Sequence, residues 1–370
     1  MEILRTAELF LLILATFLTC TVCSAFAGSI QEWISTAVPG EKLVVKRGEY
    51  IERIVINKSI YLKGEDVNAV ILNSNRSGDV ITVLGENVVL ESLFVKNCGE
   101  GFAGIYVKAR NVTIIDCLIM NCYIGIKIDS SSRIRIINCT IMNNTYAGIR
   151  VWGASEDVEI QNCTIFGNKY AAVGLFTFSK RNMLSNNVIY GNYIGVALIN
   201  SRENQIVKNK LFNNHYGVYF EDRLSTDNMI SKNTLVNNTF GVYINIFSES
   251  LTNNIFCRNN FVNNTVQVRF EPPYYSINYW NLSYPLGGNY WSDCTFEDLD
   301  SDGFVDKPYY IAKNNVDYRP LSSPYHEPAA EKTEDKWLFS QIIIAIVVIV
   351  CVYGLSYLLF RRRWPKRKIG

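Results

Sequence analysis

The residues best placed by type and spacing to do chemistry form the run Asp298-Leu299-Asp300-Ser301-Asp302-Gly303-Phe304-Val305-Asp306. Acids at the first, third, fifth and ninth places, with glycine at the sixth, follow the opening of an EF-hand calcium loop. In such a loop alternate carboxylates converge on one hard cation and the glycine allows the tight turn. Phe304, at the seventh place, would add its backbone carbonyl. The twelfth place holds Tyr309 where a bidentate Glu is needed. The run is therefore half a loop, to be completed by another acid such as Asp293 or Glu297. A structural Ca²⁺ held by Asp298, Asp300, Asp302, Phe304 and Asp306 is expected; a solvated acidic turn is the alternative.

A second set of residues suits sugars. Phe102, Tyr123, Tyr146, Tyr170, Tyr193, Tyr216 and Phe240 recur every 21 to 24 residues. Turned outward, Tyr123, Tyr146, Tyr170, Tyr193 and Tyr216 would bind glycans by stacking on sugar faces; turned inward, the row would be core. Cleaving a glycosidic bond needs two carboxylates about 5 to 9.5 Å apart. Asp129, Glu221, Asp222 and Glu271 occupy comparable places. Asp129, however, precedes Glu221 by four repeats, and Glu221 and Asp222 as strand neighbours would face opposite ways. No catalytic residue is assigned.

What must position these residues is a repeat. IINCTIMNN at 136–144 returns as IQNCTIFGN at 160–168, LSNNVIYGN at 184–192, IVKNKLFNN at 206–214 and ISKNTLVNN at 230–238. Aligned on its middle apolar residue, the series runs Val95, Ile119, Ile141, Ile165, Ile189, Leu211, Leu235, Phe261. Two places earlier stands the column Leu93, Cys117, Cys139, Cys163, Asn187, Asn209, Asn233, Asn259. Each unit holds short β-branched runs of period two between Asn- and Gly-rich turns, and none holds a helical period. A leucine-rich repeat needs L-x-x-L-x-L spacing that is missing here. The pattern predicts an all-β parallel β-helix of about nine or ten coils, each turning through about three strands. Stacking at about 4.8 Å puts identical residues above one another, so inward Asn side chains form a hydrogen-bonded ladder with the earlier cysteines in the same column. A short amphipathic helix within 28–38 is expected to cap the first coil, and the aromatic stretch from 271 to close the last.

The same stacking bears on the cysteines. Cys98 and Cys122 share one repeat position 24 residues apart, within disulfide reach on adjacent coils. Cys257 and Cys294 could join the last coils to the cap. An exported location would favour both bonds.

Export is read from the ends. Residues 1–27 have a charge-free apolar stretch and Ala25-Phe26-Ala27, the pattern of a signal peptide. Ile342–Phe360 carries no formal charge and as a helix would span about 28 Å, a bilayer's hydrocarbon thickness. The basic tail 361–370 would stay cytoplasmic. The expected order is a signal peptide at 1–27, a rod with its N-terminal cap at 28–270, an aromatic and acidic cap at 271–321, a stalk at 322–337, a transmembrane helix at 338–360 and the tail. This places the rod outside a plasma membrane, with nine N-x-S/T sequons available for glycosylation. Six of the basic residues lie in the tail and the whole chain is formally only +2. The exported part is mildly acidic, which argues against nucleic acid.

The opening VKRGEYIERIVINKSIYLKGED, the N-x-x-I-x-x-N coils and the closing GGNYWSD, DLDSDGFVDKPYYI and NNVDYRPL resemble the NosD-like group of right-handed β-helix proteins. That group lies within the wider carbohydrate-binding-protein and sugar-hydrolase repeat class. The resemblance covers roughly residues 30–321. Together with the terminal anchor it is similar to archaeal surface proteins. It implies a right-handed coil strongly and function weakly; the group's namesake is a periplasmic accessory in copper delivery to nitrous oxide reductase. Copper wants converging His, Met or Cys. The chain offers His215, His326, the Met120/Met142 column and the cysteines, so copper is not expected. The sequence reads as a non-catalytic surface binding or structural module for glycans or cell-envelope polymers. A carbohydrate-active enzyme and a copper-handling accessory are the alternatives.

Overall fold

The computed structural model describes residues 28–68, 70–246, 251–271 and 276–326. The signal peptide, most of the stalk, the membrane span and the basic tail read from the sequence lie outside the described residues. Among those described, no helix is long and apolar enough to cross a membrane.

One coil shows how the repeat folds. Ser132–Ile137, Thr140–Met142 and Ala147–Trp152 are its three strands. Asn138, with φ 54°, turns the chain between the first and second, and Asn143, with φ 55°, between the second and third. Asn is the side-chain-bearing residue that tolerates this left-handed region best. Alternation then sends Ile134, Ile136, Ile141, Ile149 and Val151 inward, all completely buried. Each such burial stabilises the coil by about 1.5–3 kcal/mol. Repetition stacks these coils into parallel sheets of 11, 11 and 10 strands, in which every third strand of the sequence is a neighbour. The result is ten three-stranded coils plus a two-stranded last one, a β-solenoid of the right-handed type. The last coil, Ile277–Tyr279 and Tyr290–Trp291, comes from the segment expected to be cap. Helix Ile30–Thr36 closes the first coil with a Ser29/Glu32 capping box and buried Ile30 and Ile34.

The expected ladder is present. Asn187 donates from its backbone N and its Nδ2 to Asn209 Oδ1, at 3.0 and 2.9 Å. Asn209 does the same to Asn233, and Asn233 to Asn259. Cys163 begins the series by donating its backbone N to Asn187 Oδ1. Two further ladders were not read from the sequence. One runs from Asn144 through Asn168, Asn192, Asn214 and Asn238 to Asn264. The other runs from Asn182 through Asn204, Asn228 and Asn254 to Asn278. Each occupies one corner of the triangular coil, and Asn supplies both the donor and the acceptor that a buried link requires. In the N-terminal coils the same corners hold Cys117, Cys139, Cys98, Cys122, Val112 and Ile134.

Every rung donates toward the C-terminus, so each ladder must end on an acceptor. The hairpin Tyr309–Ala312 and Asn315–Asp317 supplies two of them. Asn315 Oδ1 accepts from Asn278 N and Trp280 Nε1. Asp317 Oδ2 accepts from Asn289 N and Trp291 Nε1, at 2.7 and 2.9 Å. Gln267 Oε1 ends the third by accepting from Asn264. Burial pushes the Asp317 carboxyl up to about 6, against the lowering effect of these donors.

Two outcomes are expected. Asn209→Ala strands the two donors of Asn187 and removes the Nδ2 that reaches Asn233 and the Leu184 carbonyl, and should cost on the order of 3 kcal/mol. Asn213→Gly, at an exposed corner with φ 54°, should change stability by less than about 0.5 kcal/mol; urea unfolding midpoints compare them. A carboxyl raised in the folded state contributes stability that is complete below its unfolded value near 3.8 and is lost as pH rises through about 6. Between pH 4 and 6.5 the protein should therefore lose roughly 2 kcal/mol relative to Asp317→Asn. Thermal melts of both across that range would read it, and parallel pH profiles would refute it.

Candidate functional site

The outward positions of the third sheet are fixed by register. One column runs Tyr106, Lys127, Arg150, then Gly174 and Ala197, then Tyr219 and Tyr243. A second carries Asp129 beside Trp152, and farther along Phe176, Ile199, Glu221 and Asn245. Along the edge of this face stand the recurring aromatics. They lie on the outside of the rod: Tyr193 and Phe102 are exposed, and Tyr123, Tyr146, Tyr170, Tyr216 and Phe240 are half-buried. An inward core row is thereby excluded.

Their geometry also corrects the simple stacking idea. Tyr123 and Tyr146 lie face to face with centroids 5.3 Å apart and planes 7° from parallel; Tyr146 and Tyr170 repeat this at 5.0 Å and 12°. Tyr193 gives its face to His215 at 4.9 Å, and Tyr216 lies over Phe240 at 5.4 Å. Faces used on one another are not free for sugar. What the row offers is ring edges and phenol hydroxyls, one per coil. Burial pushes the Tyr216 and Tyr243 phenols up to about 12, which keeps them hydrogen-bond donors at neutral pH. The outer face is apolar enough to form its own small cluster of Ala171, Phe176, Ile194 and Ala197, lidded by Trp152, Tyr170, Ile199, Tyr216 and Tyr219.

The carboxylates on this face are dispersed and engaged. Asp129 accepts from Tyr106, Glu221 from Tyr219 and Glu271 from Tyr243. Asp129 and Glu221 are four coils apart, about 19 Å at the spacing of paired strands, beyond either glycosidase geometry.

The acidic run does converge. One oxygen each from Asp298, Asp300 and Asp302 lies within 4.8 Å of the others, the one group of three or more His, Cys, Asp or Glu among the described residues with such spacing. Asp298 Oδ2 accepts from Gly303 N at 3.0 Å, and Asp302 Oδ1 from Phe304 N at 2.9 Å. Asp298 Oδ1 is buried without a hydrogen-bond partner. Asp306 folds back to accept from Leu299 N, while Gly303, with φ 91°, makes the turn. The loop is tied to the segment after Asp317: Ser322 N donates to Gly303 O and Val305 N to Pro320 O.

The thiols are free in the structure. Cys98 and Cys122 are stacked neighbours, with Cys98 N donating to Cys122 Sγ at 3.4 Å and Tyr123 N to Cys98 Sγ at 3.1 Å. The contact with Cys98, together with burial, pushes the Cys122 thiol well up. Cys257 is buried and Cys294 half-buried. Cys117, Cys139 and Cys163 lie inside the rod, each bonded to carbonyls such as Leu90, Ile114 and Ile136. Met120 and Met142 adjoin one another outside it on the second sheet, and His215 lies in the turn before the strand Tyr216–Glu221. Among the described residues, the three groups of His, Cys, Asp or Glu that converge on one point are thus the hard oxygens of Asp298, Asp300 and Asp302.

Comparison with known proteins bears on the family. Comparison with curated proteins finds no match. Among solved structures, pectate lyase Pel9A superposes with a TM-score of 0.51 at 16% identity, over 68% of this chain and 75% of that one. The N-terminal fragment of bacteriophage Phi29 gene product 12 gives 0.51 at 14%, over 70% and 56%. The periplasmic alginate epimerase AlgG gives 0.48 at 16%, over 68% and 82%. At these identities the likeness is one of fold. A family model described as periplasmic copper-binding protein (NosD) matches residues 45–174 and 94–295. Those stretches overlap to cover most of the rod and the start of its cap, and by them the chain belongs to the NosD family.

Proposed function

We propose that this protein is an exported, membrane-tethered module that holds an extended cell-envelope glycan against the outer face of its third sheet without cleaving it. The observation that carries this reading is the strip of outward aromatics at one per coil, with centroids 5.0 to 5.3 Å apart from Tyr123 to Tyr170. A linear polymer meets such a surface with the same contacts at each step, and a rigid strip loses little entropy on binding. Phenol edges and hydroxyls suit ring hydroxyls, and the four-coil separation of Asp129 from Glu221 favours binding over hydrolysis. The apolar stretch Ile342–Phe360 and the basic tail support the tether. A glycan array probed with the full chain tests the reading. Tyr123→Ala/Tyr146→Ala should weaken binding of the polysaccharide retained by the unaltered protein about tenfold, and no reducing ends should appear on prolonged incubation. Release of ends that stops in Glu221→Gln would instead establish an enzyme.

In the cap, we propose that Asp298, Asp300, Asp302 and Asp306, with the Phe304 carbonyl, hold a structural Ca²⁺. Its role follows from the connection of this loop to residues 320–322, next to the ladder-ending Asp317. Calcium at a hundredfold excess over its Kd should raise stability by about 2.7 kcal/mol. The check is a thermal melt with calcium and with chelator; Asp300→Ala/Asp302→Ala should abolish the difference, and equal melts for the unaltered protein would make the loop a solvated turn.

A further inference from the structure

Several charged side chains on the rod are paired across coils. Arg181 meets Glu156 at 2.8 Å and Asp157 at 3.1 Å, Lys96 meets Glu49 at 3.1 Å and Arg135 meets Glu159 at 3.4 Å. Arg150, in the middle of the third sheet's outer face, has no carboxylate partner among the described residues. Its guanidinium carbon lies 4.2 Å from the centre of the Trp152 ring, 5.6 Å from Phe176 and 5.8 Å from Tyr146. Its Nε is buried and donates to nothing. Lys127, beside it in the preceding coil, sits 4.9 Å over the Tyr106 ring and is attracted at longer range to the half-buried Asp79 carboxylate.

A cation held among three rings is oriented and partly stripped of water, yet the rings satisfy none of its N–H groups. A planar guanidinium in that state is built to receive a planar or tetrahedral oxyanion through paired hydrogen bonds. The surroundings define what carries the oxyanion. Beyond Arg150 the column drops to Gly174 and Ala197, with the Phe176 ring folded over Gly174, and rises again at Tyr219 and Tyr243. Phe176 and Ala197 are buried here under Trp152, Tyr170, Ile199, Tyr216 and Tyr219, so this lid is what faces outward between the arginine and the phenols. A sugar unit laid on that lid would place an acidic group at Arg150 and its hydroxyls at the phenols.

We infer that the third sheet selects an acidic polysaccharide, and that Arg150 is the receptor for the carboxylate or sulfate of one sugar unit, with Lys127 flanking it. This rests on the glycan reading above and narrows it to anionic polymers. Being framed by three rings, Arg150 contributes specificity through geometry as well as charge.

The test uses the full chain and three probes: polygalacturonate, dextran sulfate and a neutral linear β-glucan. Polygalacturonate should bind, and Arg150→Met, which keeps the bulk packed against Trp152, should weaken it about tenfold or more. Arg150→Lys, which keeps the charge and loses the planar fork, should recover only part of that loss. Melting temperatures unchanged in both variants would show that the effect is local. If dextran sulfate binds and depends on Arg150 in the same way, the oxyanion includes sulfate; if its binding ignores both variants, that binding is diffuse attraction, and polygalacturonate behaving likewise overturns the inference. Neutral β-glucan bound as tightly as polygalacturonate would overturn the acidic selectivity while leaving glycan binding intact. Failure of all three polymers to bind would overturn both.

Discussion

The axial hydrogen bond between amides of successive coils is the constraint on which the rest of this structure depends. A triangular coil needs three sharp corners, and each corner turns polar backbone inward where no strand pairs with it. An inward Asn satisfies that backbone and its own neighbour at once, because its oxygen accepts twice and its nitrogen donates onward. Asn187, Asn209, Asn233 and Asn259 do this on one edge, and two equivalent series do it on the others. The direction of donation is the same throughout, so the cap is obliged to present acceptors. Asn315 and Asp317 on the terminal hairpin and Gln267 meet that demand. Asp317 meets it as an acceptor-only group whose burial costs enough to lift its carboxyl to about 6.

This directional chain ties the acidic loop to the rod. Gly303 and Val305 bond to residues 320–322, and those follow Asp317 directly. A cation at Asp298, Asp300 and Asp302 would therefore stiffen the segment that closes two ladders, which gives a half calcium loop a reason to exist without flanking helices. In the outward direction, parallel in-register pairing keeps the third sheet regularly spaced. That regularity turns scattered residues such as Tyr123, Tyr146, Arg150 and Trp152 into a continuous surface.

Much of the rod was legible in the sequence because stacking makes spatial neighbours of residues 22 to 26 apart. The Cys/Asn column at 117, 139, 163 and 187 stood out, since after Leu93 it holds only Cys and Asn. The ladder through Asn144, Asn214, Asn238 and Asn264 was written just as plainly in the Asn-Asn doublets. The first Asn of each doublet takes the left-handed corner and the second points inward. Reading both as turn residues hid it. The third ladder is preceded in the left-handed position by Arg181 and Glu203, residue types that advertise no corner, and only later by Asp227 and Asn253, so its local signal was partial. The aromatic row was visible as a period, but whether it faced in or out depends on the bend beside the Gly column. That the rings would spend their faces on one another follows only from the coil spacing. Arg150 carried no signal at all; its meaning lies in the three rings that surround it and the acid that does not.

The most direct test of a binding face on the third sheet is hydroxyl-radical footprinting of the full chain with and without polygalacturonate. Tyr123, Tyr146 and Trp152 should become protected, while Tyr190 and Phe212, which form a comparable stack on the second sheet, keep their reactivity. Protection of Tyr190 and Phe212 with Trp152 unchanged would contradict the assignment.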